Sequence, residues 1–250
     1  MKLSMQLYSA RFATPYDDVI RRLSALGYDA AEGFFGVFDD LPALSAALEE
    51  TGLTMPSLHV PLDRIEADAK GVADLAEQVG AVMIFAPSLS ADQRPTDAEG
   101  WTAFAARLAA AQEAISEQGL RFGWHNHAFE FEPTPDGQIP MEIILTEAPL
   151  IEWEADIAWI IRGNADPLEW IARHGDRITA AHFKDIAPQG EKTDEDGWAD
   201  PGTGVMDWPA ILAALRHHAR VELLVAEHDK PSDFDRFATQ AAAAWQTLKG

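Results

Sequence analysis

The sequence predicts an α/β protein built as a single (β/α)8 barrel over residues 1–250, and three observations carry that expectation. Short β-rich runs alternate with longer stretches of helical apolar spacing from end to end, the pattern of a parallel sheet covered by helices. Eight such strands and eight helical segments are read, the number that closes a barrel. The turn after the first strand, Ser9-Ala10-Arg11-Phe12, lacks the glycines of a dinucleotide-binding turn, which removes the main reason to prefer an open doubly wound sheet.

The first strand is read near Leu3–Tyr8. The first helix spans Pro15–Leu26, with Thr14 as N-cap, Pro15 at the first helical position and Gly27 at the stop. Strand two, Ala30–Phe34, leads to helix Leu41–Glu50, which has Asp40 as cap, Pro42 near its start and Gly52 past its end. Met55–Val60 precedes Ile65–Val79, and Val82–Ala86 precedes Asp97–Gln118. Leu120–Asn126 is followed by the short helix Pro140–Glu147, Ile151–Asp156 by Pro167–His174, and Ile178–Phe183 by Trp208–His218. Val221–Glu227 and Ser232–Leu248 complete the pattern. One connection is long: Asp185–Met206 carries Asp185, Glu191, Asp194, Glu195, Asp196 and Asp200 against Lys192 alone. Its place after a barrel strand makes it either a lid on the catalytic face or a solvated acidic loop.

With 47% hydrophobic residues, 250 positions fill a substantial core. The 41 acidic and 19 basic side chains give a formal charge of −22, which opposes a nucleic-acid or anionic-membrane partner. Without cysteine there are no disulfides, thiolate nucleophiles or cysteine-held zinc. No window approaches the ~18 to 20 apolar residues of a membrane span. The start, Met1–Ser9, does not read as a signal peptide, so the expected address is cytoplasmic. A homo-oligomer is left open.

In barrels of this kind the chemistry sits at the C-terminal ends of the strands. Six strands here end in ionisable groups: Glu32, His59, His125-Asn126-His127, Glu154-Ala155-Asp156, His182-Phe183-Lys184-Asp185 and Glu227-His228-Asp229. A period of two puts His125 and His127 on one face, as it does Glu154 with Asp156 and His182 with Lys184. A carboxylate aimed into a narrow barrel mouth is costly unless it is paired or binds a cation. Asp156, Glu227, His182 and a His or Glu from strand five therefore suit one divalent ion, Mn²⁺, Zn²⁺, Co²⁺ or Fe²⁺ rather than Ca²⁺. Glu32, His59 and Glu154 are candidates for binding substrate hydroxyls. Lys184 reads either as a substrate or oxyanion contact or as the partner of a rim carboxylate.

The strand-five stretch Phe122-Gly-Trp-His-Asn-His-Ala-Phe-Glu-Phe131 resembles the sugar phosphate isomerase/epimerase group of xylose isomerase-like TIM barrels. Ala181-His-Phe-Lys-Asp185 is similar to that family's His-x-Lys-Asp signature. Gly202-Thr-Gly-Val-Met-Asp-Trp-Pro-Ala-Ile-Leu212 resembles its glycine turn and following helix, and Leu223-Leu-Val-Ala-Glu-His-Asp229 its closing strand. The similarity runs in order along essentially the whole chain. It implies one divalent metal held by a Glu from strand five, an Asp from strand six, a His from strand seven and a Glu from strand eight. By motif the last three become Asp156, His182 and Glu227.

Two departures follow. Many relatives read Glu-Asn-His where this chain has His125-Asn126-His127. By register His125 takes the metal place and His127 the acid/base place, with Glu130 as a rival ligand or proton carrier. Trp159 replaces the His of the relatives' Asp-x-Gly-His, which, like the charge, speaks against a multi-metal nuclease of the endonuclease IV type. The resemblance implies isomerisation or epimerisation of a small-molecule sugar or keto-sugar, with His127, Glu130 and Lys184 as catalytic groups. The demand is removal of a proton next to a carbonyl, with the metal stabilising the enediolate. The alternatives are a lyase acting by elimination on 3-keto-glycosides and a non-catalytic barrel subunit. The acidic long loop favours an unphosphorylated substrate.

Overall fold

A computed structural model describes residues 1–250. Eight parallel strands close into a barrel in the order β1-β8-β7-β6-β5-β4-β3-β2. They are β1 (Lys2–Gln6), β2 (Ala30–Phe34), β3 (Thr54–His59), β4 (Met83–Ala86), β5 (Arg121–His125), β6 (Glu152–Asp156), β7 (Ile178–Phe183) and β8 (Leu223–Ala226). The surrounding helices are α1 (Tyr16–Ala25), α2 (Leu41–Thr51), α3 (Leu62–Val79), α4 (Ala98–Ser116) and α5 (Pro140–Glu147). They continue with α6 (Ile157–Arg162), α7 (Pro167–His174), α8 (Trp208–His218) and α9 (Phe234–Leu248). The expected barrel is the observed one.

Local chemistry sets the helix starts. Asp40, Asp97, Asp166, Asp207 and Asp233 each accept a backbone N–H from the turn that follows, so part of the acidic excess caps helices. Thr14 does not cap α1. The helix starts one residue later, with Pro15 extended at the N-cap position and making no side-chain bond, while Asp17 and Asp18 face the positive end of the helix dipole. Helix α6 was not expected, because no turn residue separates it from β6; Asp156 ends the strand and caps the helix at once.

The long connection is neither a free acidic loop nor an open lid. Asp185–Ile186 pairs antiparallel with Trp198–Ala199. Arg236 of α9 then reaches Glu195 at 2.8 Å and Asp200 at 2.7 Å, so a cation from a distant helix docks the acidic segment. Asp185 accepts backbone N–H groups from Ile186, Gly202, Gly204 and Met206 and closes the loop's base.

Sixty-three buried residues form the layer between strands and helices. A separate cluster of six, Ala30, Met83, Phe85, Ala180, Leu223 and Val225, plugs the barrel floor. Two residues further along the same strands the inward positions turn polar: Glu32, His182 and Glu227 follow Ala30, Ala180 and Val225. The floor thus gives way to a polar mouth within one strand step. Gly123 of β5 makes room for the plug, since a Cβ there would sit 2.6 Å from the Phe85 ring and 2.6 Å from the Glu152 carbonyl oxygen. Gly123→Ala is expected to cost about 1–3 kcal/mol by overpacking against backbone that cannot yield. Thermal unfolding checks this, and a variant melting level with the parent would show that the plug repacks freely.

Candidate metal centre and active-site cavity

The strand ends bring His125, Asp156, His182 and Glu227 together in the barrel mouth, with their ligand atoms all within 4.8 Å of one another and all four residues buried. His182 Nδ1 lies 2.9 Å from Glu227 Oε2 and 3.7 Å from Asp156 Oδ2. In this set His125 Nδ1 has no partner in hydrogen-bond geometry, and Asp156 Oδ2 is balanced by the Lys184 ammonium 2.9 Å away. Two imidazoles and two carboxylates with an unpartnered buried ring nitrogen fit a divalent cation of the zinc or manganese kind. Asp156 is held for this by Asn126, whose Oδ1 accepts from the Asp156 backbone N–H at 3.0 Å and from Trp153 Nε1 at 2.8 Å.

The charge balance of the cluster explains its titration. Burial opposes protonation of His182, yet the facing Glu154 and Glu227 carboxylates hold it well above the usual imidazole range. Glu227 is resisted by burial and held low by Lys184 and His182. His125 goes the other way: burial, then the neighbouring cationic imidazoles, pull it down and keep the ring neutral, as a metal ligand must be.

A second layer lies against the first. Glu32 accepts from Gln6 Nε2 at 2.8 Å and from Ser57 Oγ at 2.6 Å, and Glu154 contacts His59 Nε2 at 2.5 Å. Of the three candidates for substrate hydroxyls, Glu32 and Glu154 are fully buried off the cavity lining, and His59 lines the cavity.

That cavity, about 400 Å³ in volume, opens over the site. Its polar wall is His59, His125, His127, Glu227 and Asp229; its apolar wall is Tyr8, Phe34, Phe35, Pro61 and Pro87. His127 presents a buried Nδ1 without a partner, and burial followed by the Lys184 charge lowers its pKa to about 3, so the ring is neutral. Burial raises Asp229 to about 6, against the pull of Lys184 3.0 Å away.

Two of the expected catalytic groups stand outside the cavity lining. Lys184 is buried, with Nζ 2.9 Å from Asp156 and 2.6 Å from Glu227, under the Trp159 and Trp198 rings. Of the two sequence readings, it takes that of ion-pair partner, to carboxylates of the ligand set. Glu130 sits on the short turn after β5, outside the ligand group. Its two oxygens accept from Trp124 Nε1 at 3.0 Å and from the His127 backbone N–H at 2.9 Å, so it positions the His127 segment.

Glu130 makes a pH test. Burial raises its carboxyl to about 8 from an ordinary 4.5, against the N–H donors that favour the charged form. Between those values the folded chain holds a proton that the unfolded chain has released, so stability from this group falls as pH rises through the window. The slope is at most about 1.4 kcal/mol per pH unit. Melting curves of the parent and Glu130→Gln from about pH 5 to 9 should diverge in that sense; a constant difference contradicts it.

Two residues placed at the site, Asp229 and Asn126, are named from sequence only as members of their strand ends and carry no role there. Asp229 follows Glu227 by two, and the alternation rule alone puts it on the same face. Asn126 gave no signal beyond standing between two histidines.

The chain belongs to the family described as the xylose isomerase-like TIM barrel, which matches residues 20–248. Among curated proteins it is similar to the inosose dehydratase of Geobacillus kaustophilus, 28% identical over 192 residues. The match covers 68% of this chain and 62% of that relative, so the chain spans about three fifths of the relative's length. Among solved structures, a sugar phosphate isomerase/epimerase from Parabacteroides distasonis superposes with a TM-score of 0.81 at 21% identity, over 98% of this chain and 93% of that one. The IolI protein with a bound zinc atom superposes with a TM-score of 0.79 at 17% identity, over 100% and 96%. At these identities the structures establish the shared fold.

Proposed function

We propose that this chain is a divalent-metal-dependent isomerase or epimerase of an unphosphorylated sugar or keto-sugar. The observation that carries the reading is the buried His125, Asp156, His182 and Glu227 group opening on a cavity with one polar and one apolar wall. A divalent ion in that group supplies Lewis acidity toward a carbonyl and the negative charge that develops on it. The side chains do the rest. His59 offers a hydrogen bond to a substrate hydroxyl, and Tyr8, Phe34 and Phe35 cover the carbon face of a sugar ring and exclude water. His127 and Asp229 line the cavity without belonging to the ligand group, so they are placed to take the proton from the carbon beside the carbonyl and return it at the neighbouring carbon or the opposite face. Glu130 and Lys184 act through others, holding the His127 segment and the ligand carboxylates respectively.

The dehydratase relative favours a second reading, in which the same proton abstraction is followed by loss of a β-hydroxyl as water. Both share the first step and are separated by their product. The test is a panel of ketohexoses, inososes and 3-keto-glycosides in deuterated water with added Mn²⁺, Co²⁺ or Zn²⁺. Deuterium at the α-carbon of an isomer or epimer supports the first reading, and an unsaturated product supports the second. His127→Gln and Asp229→Asn should lower kcat by about 10²–10⁴ while metal content is kept. No exchange on any of these compounds with any of these ions overturns both.

A further inference from the structure

Donors also converge below the ligand group described above. Glu154 precedes Asp156 by two residues on β6, so its carboxylate points into the barrel one strand step, about 6.6 Å, nearer the floor. Its Oε2 lies 2.5 Å from His59 Nε2 and 3.3 Å from both His125 Nδ1 and His182 Nε2. The ligand atoms of His59, His125, Glu154 and His182 all fall within 4.8 Å of one another, and all four residues are buried. The His125 ring centre is 5.0 Å from that of His59 and 4.3 Å from that of His182. Three imidazoles and a carboxylate make a closed donor set of the type zinc takes. A proton between His59 and Glu154 accounts for their short contact. It leaves Glu154 Oε1 and His125 Nδ1 buried without a hydrogen-bond partner.

His182 joins the two levels. Its Nδ1 faces Glu227 and Asp156, while its Nε2 faces Glu154 at 3.3 Å and Glu32 at 3.4 Å. We propose that the barrel binds a second divalent cation at this lower level, held by His59, Glu154 and His182 Nε2, with the His182 ring shared between the two ions. Because His125 belongs to both donor sets, each level keeps three donors of its own: Asp156, Glu227 and His182 Nδ1 above, His59, Glu154 and His182 Nε2 below. A ring that ligates through both nitrogens carries no proton, so filling both levels releases its N–H protons to solvent. Glu32 stays an acceptor for Gln6 and Ser57 and holds negative charge against the lower ion. The cavity reaches His59 and His125, which gives the ion its way in. Of the lower donors, Glu154 and the His182 ring are fully buried and lie off the cavity lining, so this ion braces His182 and the upper site rather than meeting substrate. The inference rests on the proposed metal-dependent function only through the upper ion that shares His182.

The test counts ions. Full-length protein stripped with a chelator is titrated with Zn²⁺ in a calorimeter, and bound metal is measured after desalting. The parent is expected to hold two ions per chain. His59→Gln and Asp156→Asn are each expected to hold one, with circular dichroism confirming that both variants are folded. Filled with Co²⁺, the parent should show a second equivalent that weakens the paramagnetic signal of the first, because a shared imidazolate couples the two spins. One ion per chain in the parent, whichever variant removes it, overturns the second site and leaves the metal-dependent function standing. No ion in any form overturns both.

Discussion

Asp156→Asn is expected to leave the protein folded and to remove its turnover. The two oxygens of Asp156 have separate tasks. Oδ1 accepts the Trp159 backbone N–H at 2.9 Å and caps α6, whereas Oδ2 faces Lys184 at 2.9 Å and His182 at 3.7 Å in the ligand group. Asparagine keeps an acceptor for the cap and turns an NH₂ group toward the ammonium and the metal position. Replacing residues that merely support metal ligands costs about 10–100-fold in affinity, so losing a charged ligand should cost the upper ion more than about 100-fold. Turnover falls to background with it. Asp156→Ala should lose in addition about 1 kcal/mol of stability from the missing cap, which separates the two tasks. Calorimetric metal titration and melting curves of the two variants check both parts. Metal affinity and turnover unchanged in Asp156→Asn would remove Asp156 from the ligand set.

Lys184→Met should be the most destabilising single change at the site, and a divalent ion should reverse much of it. The ammonium is fully buried between Asp156 at 2.9 Å, Glu227 at 2.6 Å and Asp229 at 3.0 Å. Burial works against its charge, and the three carboxylates hold its pKa above the ordinary lysine value. Removing one partner from a buried charge group costs about 3–5 kcal/mol, because the remaining charges stay buried and unpaired. For a chain of this size that is a loss of about 10 °C in Tm. Methionine keeps most of the apolar stem and its packing under Trp159 and Trp198, ends one atom short of the ammonium, and supplies no charge. A divalent ion among the same carboxylates supplies it, so added Zn²⁺ or Mn²⁺ should raise the Tm of the variant by more than that of the parent. An equal rise in both would show that Lys184 and the ion do not share these carboxylates.

The fold was legible in the sequence because its signals are local and repeated. Each helix of the pattern carries its own punctuation, such as Asp40 and Gly52 around α2, and Ala30–Phe34 and Ile178–Phe183 stand where their apolar runs put them. The converging site was legible for a related reason. In a closed parallel barrel the strand ends meet at one rim, so strand position and period bring Asp156, His182 and Glu227 together with a His or Glu of strand five, and the family resemblance points to His125 as that member. What failed needed tertiary knowledge. The docking of the acidic connection depends on Arg236, which lies 36 residues from Asp200 in the chain. The turn that aims Glu130 at Trp124 rather than at the ligand group is an irregular three-residue helix with no periodic signal. That Lys184 faces three carboxylates instead of the cavity follows from their depth along the barrel, which alternation does not report.

The central claim is that a divalent ion sits among His125, Asp156, His182 and Glu227. Diffraction from crystals grown with Zn²⁺, recorded on both sides of the zinc absorption edge, tests it most directly. The account predicts an anomalous peak about 2.0–2.2 Å from one donor atom of each of these four side chains, with Glu130 still turned toward Trp124. A barrel mouth without such a peak, in which His182 remains bonded to Glu227 and Lys184 to Asp156, would contradict it.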